Sequence, residues 1–287
     1  MGRIDDTVEE IRRMETHSSS VVAVKAARAL RELVEREFTS LDEYESALER
    51  NSGALRRANP SHASLFTTQR EVVDAVVGQS DDLAEARRLT EAAVERVVDR
   101  VDNGKRRAAA SAAETFDDGE VVLTHDYSST LLAAMERAVP ERELTVYVTE
   151  ARPRYLGRKL ARRLAETAGV EVHLGVDGAS GYLLEQTDID RAMVGMDCIV
   201  RGTLYNRVGT FPLAAAAAEA GVPLDVVGSS AKVIEEGFVF ENEFRPPAEV
   251  SLEPLEEVVV ENPAYDATPA HLVDTVITGE QRFSPSD

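Results

Sequence analysis

Several features that define other protein classes are scarce or absent in these 287 residues. The single cysteine, Cys198, excludes an internal disulfide and is typical of a reducing compartment. No apolar run approaches the roughly 20 residues of a membrane-spanning helix, and the polar, acidic N-terminus lacks the apolar segment of a signal peptide. No Cys/His cluster has zinc-site spacing. We therefore expect a cytoplasmic protein that uses no metal or cofactor and does not bind membranes.

Lysine is scarce as well. Lys25, Lys105, Lys159 and Lys232 are the only lysines beside 52 acidic residues, and the formal net charge is −20. Strong acidity along a lysine-poor chain is typical of adaptation to high salt, and it disfavours direct binding to nucleic-acid phosphates. An acidic face for a basic partner is the alternative, but the even spread of acidic residues favours the halophilic interpretation.

The order of the hydrophobic patterns predicts an α/β protein with two domains. Residues 1–116 show only helical patterns, and residues 80–116 are compatible with one long helix or with two that break near Asn103 and Gly104. A turn at 117–119 marks the predicted boundary. Residues 117–287 alternate apolar strands with helices, which predicts a Rossmann-like domain with a mainly parallel sheet. The predicted strands are 120–124, 144–148, 170–174, 192–200 and 224–227, and the predicted helices are 128–138, 155–168, 181–186, 208–219 and 270–277.

An acidic residue interrupts the most apolar of these strands. Asp197 lies within the predicted strand 192–200, and Asn206 and Arg207 follow in a glycine-containing loop. Ligands of open α/β sheets bind outside the carboxyl ends of the strands. A carboxylate, an amide and a guanidinium there are suited to a polyol phosphate. A loop cap or a structural ion pair explains Asp197 equally well at this point.

A second candidate site lies where the first predicted strand meets a helix. Ser128, Ser129 and Thr130 supply hydroxyl groups at the predicted helix start, and free backbone N–H groups at such a start bind anions. The same residues are equally suited to a simple N-cap. The segment therefore predicts a phosphate site or a cap.

Six motifs resemble the translation initiation factor 2B α/β/δ family. That family comprises regulatory subunits of the factor and isomerases of ribose 1,5-bisphosphate and 5-methylthioribose 1-phosphate. The similarity runs from about residue 11 to residue 277 and implies a homodimer or larger assembly through the C-terminal domain. The motifs are THDYSST at 124–130 (family T-H-C-N-S or T-H-A/G-Y-S), YVTEARP at 147–153 (V-Y-x-T-E-x-R-P), DGASGY at 177–182 (D-x-A-x-G-Y), VGMD at 194–197 (V-G-A-D), NRVGT at 206–210 (N-K-I-G-T) and NPAYDATP at 262–269 (N-P-x-F-D-x-T-P).

The sequence departs from the isomerases of that family at three positions. Asp126 occupies the place of a cysteine that the resemblance implies in proton transfer. His17 and Asn59 occupy places where the isomerases have arginine, and they supply neither a fixed charge nor a bidentate fork for phosphate.

Lys232, in contrast, agrees with the family, because it stands where the resemblance implies a lysine that holds phosphate or a neighbouring subunit.

Two further expectations concern contacts. Glu150 and Arg152 follow a predicted strand end, where they could pair with each other or face the pocket, and we expect a structural ion pair. The apolar segments VPLDVV at 222–227 and LEEVVV at 255–260 are the candidate dimer interface.

These observations leave two functions open. The departures favour a non-catalytic initiation-factor-2B-like subunit that binds a sugar phosphate or nucleoside monophosphate, with initiation factor 2 as a candidate protein partner. The alternative is an isomerase of the ribose-1,5-bisphosphate type, in which Asp197 and Asp126 act as the acid and base. Under both hypotheses, one cleft at the strand carboxyl ends is expected to hold the ligand beside these carboxylates. The predicted ligand-binding residues are His17, Ser128, Ser129, Thr130, Asn206, Arg207 and Lys232.

Overall fold

The computed structural model describes residues 2–13, 19–60, 62–234, 236–253 and 255–285. The chain forms two compact units, one of Met1–Gly104 with Ala231–Glu241 and one of Lys105–Ser230 with Asn242–Asp287. A domain boundary near residue 116 stays a prediction.

The first unit is mainly helical. Its core includes apolar residues at helical spacing, such as Ile4, Val8 and Ile11 on the first helix. The Tyr44 hydroxyl donates a buried hydrogen bond of 2.8 Å to Thr90 Oγ1, so the polar tip of this core aromatic is satisfied. The helices of this unit are α1 (Arg3–Arg12), α2 (Ser19–Ala29), α3 (Glu32–Glu35), α4 (Leu41–Ala58), α5 (Ala63–Asp74) and most of α6 (Leu83–Ala113).

In the described part of the chain, no helix has both the length and the apolar composition of a membrane span.

The helix α6 is continuous through Asn103 and Gly104, so the alternative with two helices is wrong. A glycine inside a helix costs about 1 kcal/mol relative to alanine. Buried Val94, Val97 and Val101 lie on the same helix, and their packing outweighs that local cost.

The remaining part of the chain alternates strands with helices. The strands are β1 (Glu120–His125), β2 (Leu144–Thr149), β3 (Val170–Gly175), β4 (Arg191–Gly195), β5 (Cys198–Val200), β6 (Thr203–Arg207), β7 (Leu224–Val227), β8 (Val233–Ile234), β9 (Tyr265–Pro269), β10 (Thr275–Ile277) and β11 (Arg282–Phe283), and the remaining helices are α7 (Ser129–Ala138), α8 (Leu156–Ala165), α9 (Ser180–Gln186) and α10 (Thr210–Ala220).

The second unit is built on a seven-stranded sheet with the order β11-β10-β7-β4-β1-β2-β3. All neighbouring strands of this sheet are parallel except the edge pair β10 and β11. The predicted α/β fold, with a helical N-terminal region and a mainly parallel sheet, is therefore confirmed.

The strand order reverses between β1 and β4. From β1 the sheet continues through β2 and β3 on one side, and from β4 through β7 and β10 on the other. Counted among themselves, the parallel strands follow the doubly wound order 3-2-1-4-5-6. The connections leave β1 and β4 in opposite directions, which opens a crevice at their carboxyl ends.

The predicted strand 192–200 is wrong as a single element. β4 ends at Gly195, and β5 begins at Cys198 in a separate antiparallel ladder with β6 and β9. Asn206 and Arg207 belong to β6 and not to a loop. Both β4 and β5 are buried, so their apolar run continues although the chain changes sheets. Periodicity alone does not reveal such a change.

The predicted C-terminal helix at 270–277 is also wrong. The chain makes one short 3₁₀ turn at Ala270–Leu272 and then enters β10. The residues Val273, Thr275, Val276 and Ile277 are β-branched, and such residues favour strands.

One of the two candidate interface segments is largely interior. Residues 224–227 of the segment 222–227 form β7, which is buried between β4 and β10, and the apolar side chains of β7 belong to the core of the second unit. Val222 is half-buried and Pro223 is exposed. In the segment 255–260, Leu255, Val258 and Val259 are exposed. This second segment stays a predicted interface.

Candidate functional site

The carboxyl end of β1 presents Asp126 to the crevice. Asp126 has a left-handed backbone conformation, with φ of 64°, and its side chain is almost fully buried. Aspartate and asparagine tolerate this conformation better than most residues. The turn ends β1 and leads directly into α7, whose N-cap is Ser128.

Arg207 brings the two predicted catalytic carboxylates together. Its Nε lies 3.7 Å from Asp126 Oδ2 and 3.9 Å from Asp197 Oδ2. Asp197 lies just beyond β4, and its backbone N–H donates to the Tyr205 carbonyl of β6 at 3.1 Å. The hairpin of β5 and β6 therefore returns Arg207 to the carboxyl ends of β1 and β4.

The environment of Asp126 favours its protonated form. Burial raises the pKa of the Asp126 carboxyl above its usual value, and the nearby charge of Asp197 raises it further. Arg207, His125 and the Tyr127 N–H oppose that shift without cancelling it. Two carboxyl groups that share one site tend to hold a proton between them. Asp126 is thus suited to donate a proton.

Arg207 is itself enclosed. Burial would lower the pKa of its guanidinium, but Asp197, Tyr265, Asp126 and Glu243 raise it above the ordinary value. The guanidinium carbon lies 4.8 Å from the ring centroid of Tyr265, a cation–π arrangement. Burial and Asp197 raise the pKa of the Tyr265 hydroxyl to about 12. Tyr265 lies in the motif at 262–269, but sequence reasoning did not assign it to the site.

His125 joins β1 to the start of α10 and was also missed as a site residue. Its Nδ1 lies 2.7 Å from Thr149 Oγ1, and its Nε2 lies 2.8 Å from the Val208 carbonyl. A carbonyl only accepts, so Nε2 carries the proton. Gly209 permits this close approach, because a Cβ there would lie 2.5 Å from the imidazole. The sequence signal that could have identified His125 is its place in the motif at 124–130.

Ser128 forms the N-cap of α7. Its Oγ accepts the Leu131 N–H at 3.2 Å. A Cβ at residue 195 would lie 2.7 Å from that Oγ, so Gly195 lets the cap lie against the end of β4. Ser129 and Thr130 form the first turn of α7 and are half-buried. The cap is present, and an anion on this helix start stays a prediction.

Three other predicted ligand-binding residues have different settings. The buried Asn206 donates through Nδ2 to Thr210 Oγ1 at 3.1 Å, across the β6–α10 connection. Lys232 is half-buried at the end of a short 3₁₀ helix and belongs to the first unit, so its part in the cleft stays a prediction. His17 falls outside the described residues. Ligand contacts of all three residues stay predictions.

The expected pair of Glu150 with Arg152 does not form. Glu150 accepts from Arg158 Nε at 3.0 Å. The Arg152 backbone N–H donates to Asp177 Oδ2, and Asp177 Oδ1 accepts from Ala151, both at 2.7 Å. The ion pair is structural, as expected, but the partner of Glu150 is Arg158, six residues beyond Arg152. Asp177 ties the motif at 177–182 to the motif at 147–153.

A cleft opens beside Asp126 and Arg207. The cleft is narrow, with about 20 Å³ open to a water-sized sphere. Among the residues that the structure describes, no group of three or more His, Cys, Asp or Glu side chains is arranged to hold a metal ion.

Comparisons with known proteins agree across nearly the whole chain. The sequence model described as the initiation factor 2 subunit family matches residues 15–281. A ribose 1,5-bisphosphate isomerase of Haloterrigena turkmenica is 33% identical, with 97% of this chain and 89% of that protein covered. A putative translation initiation factor eIF-2B subunit 2-like protein of Pyrococcus horikoshii is 32% identical, with 80% of this chain and 79% of that protein covered.

A solved structure has the same fold. The crystal structure of the Pyrococcus horikoshii OT3 translation initiation factor eIF-2B matches with a TM-score of 0.77 and 26% sequence identity. The match covers 99% of this chain and 97% of that one. Both the isomerase and the initiation-factor branches are thus among its relatives.

Proposed function

The chain belongs to the initiation factor 2 subunit family, and we propose that it is a sugar-phosphate isomerase that converts a ribose 1-phosphate derivative into the corresponding ribulose phosphate. Ribose 1,5-bisphosphate is the first substrate to test, because relatives about 30% identical over most of the chain carry that name. These relatives support the isomerase better than the non-catalytic subunit that the sequence favoured. The single observation that carries the proposal is the position of Arg207 between Asp126 and Asp197.

The reaction requires one proton donor and one proton acceptor. In the cyclic aldose phosphate, the bond between C1 and the ring oxygen breaks, and the ring oxygen keeps the electron pair and gains a proton. The hydrogen on C2 moves to C1 as a hydride, and the C2 hydroxyl loses its proton to become the ketone. No redox cofactor enters this balance. A positioned acid and a positioned base contribute about 10²–10⁴-fold each to such steps.

The carboxylates have environments suited to these two tasks. Burial raises the pKa of Asp126, so in this proposal Asp126 donates its proton to the ring oxygen. Asp197 is more exposed and accepts the proton of the C2 hydroxyl. Exchange with solvent then resets the pair. One phosphate of the substrate binds at the start of α7, where Ser128, Ser129 and Thr130 supply hydroxyls and backbone N–H groups.

The test is a coupled assay of ribulose 1,5-bisphosphate formation in molar KCl. We expect turnover by the native chain and a decrease of about 10²–10⁴-fold in kcat for Asp126→Asn and for Asp197→Asn. The double variant is expected to be little worse than either single one, because the two groups act in one proton cycle. Asp188→Asn, at an exposed position, is the matched control and keeps full activity.

A second candidate is a binding subunit without catalysis. Asp126 in place of the family cysteine favours it, as does the relative named as an eIF-2B-like subunit. This function predicts that calorimetry detects binding of AMP or ribose 1,5-bisphosphate while the coupled assay detects no turnover. Self-association as a homodimer is proposed for both functions, and a monomer by light scattering in molar salt would contradict it.

A further inference from the structure

Four arginines line the cleft beside Asp126. They are Arg152, Arg154, Arg207 and Arg245, and all belong to the second unit. Guanidinium groups crowded in a small, partly buried space repel one another, because the local dielectric is lower than that of water. Such a cluster is stable only where carboxylates or a bound anion compensate its charge.

Three of these arginines are held by protein groups. Arg207 lies between Asp126 and Asp197, as described above. The Arg245 Nε lies 3.0 Å from Glu249 Oε2, and its Nη1 lies 2.8 Å from Glu243 Oε1. Arg152 Nη2 donates to the Val250 carbonyl at 3.1 Å. Their positions are therefore set without a ligand.

Arg154 differs from the other three. Its guanidinium makes no hydrogen bond and no ion pair with any residue in the described ranges, although it is half-buried. Burial lowers the pKa of the Arg154 guanidinium, and the charges of Arg245 and Arg207 lower it further, while Glu249 and Asp126 offset only part of this. An arginine stays protonated in proteins, so the shift means an uncompensated positive charge at the cleft.

The backbone around Arg154 is held in place. Asp177 accepts the N–H groups of Ala151 and Arg152 at 2.7 Å, directly before this residue. The Tyr155 N–H donates to the Ala151 carbonyl at 2.8 Å, directly after it. Because the backbone is already fixed, ligand binding has to order only the side chain of Arg154 and not the loop that carries it.

We propose that Arg154 binds a second phosphate group of the substrate and so makes the site selective for a bisphosphorylated pentose over a monophosphorylated one. The inference rests on the proposed isomerase function, in which the start of α7 holds the first phosphate. A guanidinium presents paired N–H donors that match phosphate oxygens, and it stays charged at every working pH.

The experiment compares the native chain with Arg154→Met and Arg154→Lys in molar KCl. Calorimetry measures binding of ribulose 1,5-bisphosphate and of ribulose 5-phosphate, and the coupled assay measures turnover. Arg154→Met is expected to weaken bisphosphate binding by about ten- to a hundredfold, the effect of one charge-assisted hydrogen bond. Binding of ribulose 5-phosphate is expected to stay unchanged, because in this proposal its C5 phosphate occupies the start of α7 and Arg154 holds the phosphate on C1. Arg154→Lys is expected to retain part of the affinity. Arg162→Met, at an exposed position of α8, is the control and changes neither affinity.

The possible outcomes test the role of Arg154 separately from the proposed isomerase function. Turnover of the bisphosphate by Arg154→Met with native KM, or equal weakening of both ligands, overturns the role of Arg154 and leaves the isomerase intact. Bisphosphate binding that depends on Arg154 without turnover by the native chain supports the phosphate site and overturns the isomerase. No bisphosphate binding by the native chain overturns both.

Discussion

The two ends of the central sheet each combine one arginine with two carboxylates, but the contacts differ. At the amino ends of β1, β4 and β7, Arg191 Nη2 donates to Glu120 Oε2 at 2.9 Å and Arg191 Nη1 donates to Asp225 Oδ2 at 3.0 Å. At the carboxyl ends, Arg207 lies 3.7 Å and 3.9 Å from its two carboxylates. The first distances are those of charge-assisted hydrogen bonds, and the second are too long for one.

This difference separates a structural cluster from a candidate reactive one. Arg191 Nη2 also donates to the Thr115 carbonyl at 3.0 Å, and the guanidinium covers the Phe116 ring at 4.9 Å, so both terminal nitrogens of Arg191 are used within the fold. Arg207 makes no such short contact with Asp126 or Asp197. The same residue types therefore form a hydrogen-bonded cluster at one end of the sheet and, at the other end, the looser cluster to which the proposed function assigns the chemistry.

The largest expected effect on stability follows from breaking the amino-end cluster. Arg191→Met leaves Glu120 and Asp225 buried without their cation, which costs about 3–5 kcal/mol of unfolding free energy. Burial already raises the pKa of both carboxyls while Arg191 lowers it, so its removal raises them further. A carboxyl whose pKa is raised in the folded state stabilises the fold below its unfolded pKa, and this stabilisation is lost as the pH rises through the folded pKa. The loss of unfolding free energy in Arg191→Met is therefore greatest at neutral pH and decreases on acidification.

Denaturant unfolding in molar KCl across this pH range measures that effect. Arg163→Met is the control, because Arg163 is exposed and its ion pairs are long, and we expect a change below about 0.5 kcal/mol. Turnover per folded molecule is expected to stay native. Loss of turnover without loss of stability would contradict the separation of the two ends.

A smaller effect is expected where the carboxyl end is assembled. Gly209→Ala places a Cβ 2.5 Å from the His125 ring at a φ of 105°, which should cost about 1–3 kcal/mol and displace neighbouring Arg207. Gly221→Ala is the matched control, since Gly221 has a φ of 70° and nothing within 4 Å of an added Cβ. Thermal unfolding and kcat are the measurements. Equal losses in both variants would show that backbone strain alone matters and that the contact with His125 does not.

The smallest expected effect is a gain of stability in Asp126→Asn, opposite in sign to the losses expected for Arg191→Met and Gly209→Ala. Asp126→Asn removes a buried carboxyl whose pKa burial raises, and asparagine suits the left-handed conformation at this position. The charged form of Asp126 opposes folding above its raised pKa, so the variant should be more stable at neutral pH, within the roughly 0.5–2 kcal/mol of stabilising substitutions. The gain should vanish as the pH falls below the unfolded pKa of aspartate. A Tm below that of the native chain at neutral pH would mean that the pairing with Arg207 outweighs burial.

Local sequence patterns anticipated most of the elements that carry these residues. The apolar runs of β1, β2, β3 and β7 lie between helices of ordinary length, and such alternation has few solutions besides a parallel sheet. Asp126, Asp197 and Arg207 were recognised because they lie in motifs of the family resemblance, at or near predicted strand ends. Tyr265 also lies inside such a motif and Arg154 directly follows one, but nothing local distinguishes these two from structural residues.

The sequence by itself determined the α/β class, the strand ends that bear polar groups, and the departure from the family at Asp126. It did so because hydrophobic period and turn chemistry are local properties of the chain. Only the tertiary structure decided that the run 192–200 divides between two sheets, that Arg207 returns on β6 to the ends of β1 and β4, and that Arg154 faces a cleft without a partner. Those facts depend on contacts between residues distant in sequence, and on the burial that such contacts produce, which no local pattern encodes.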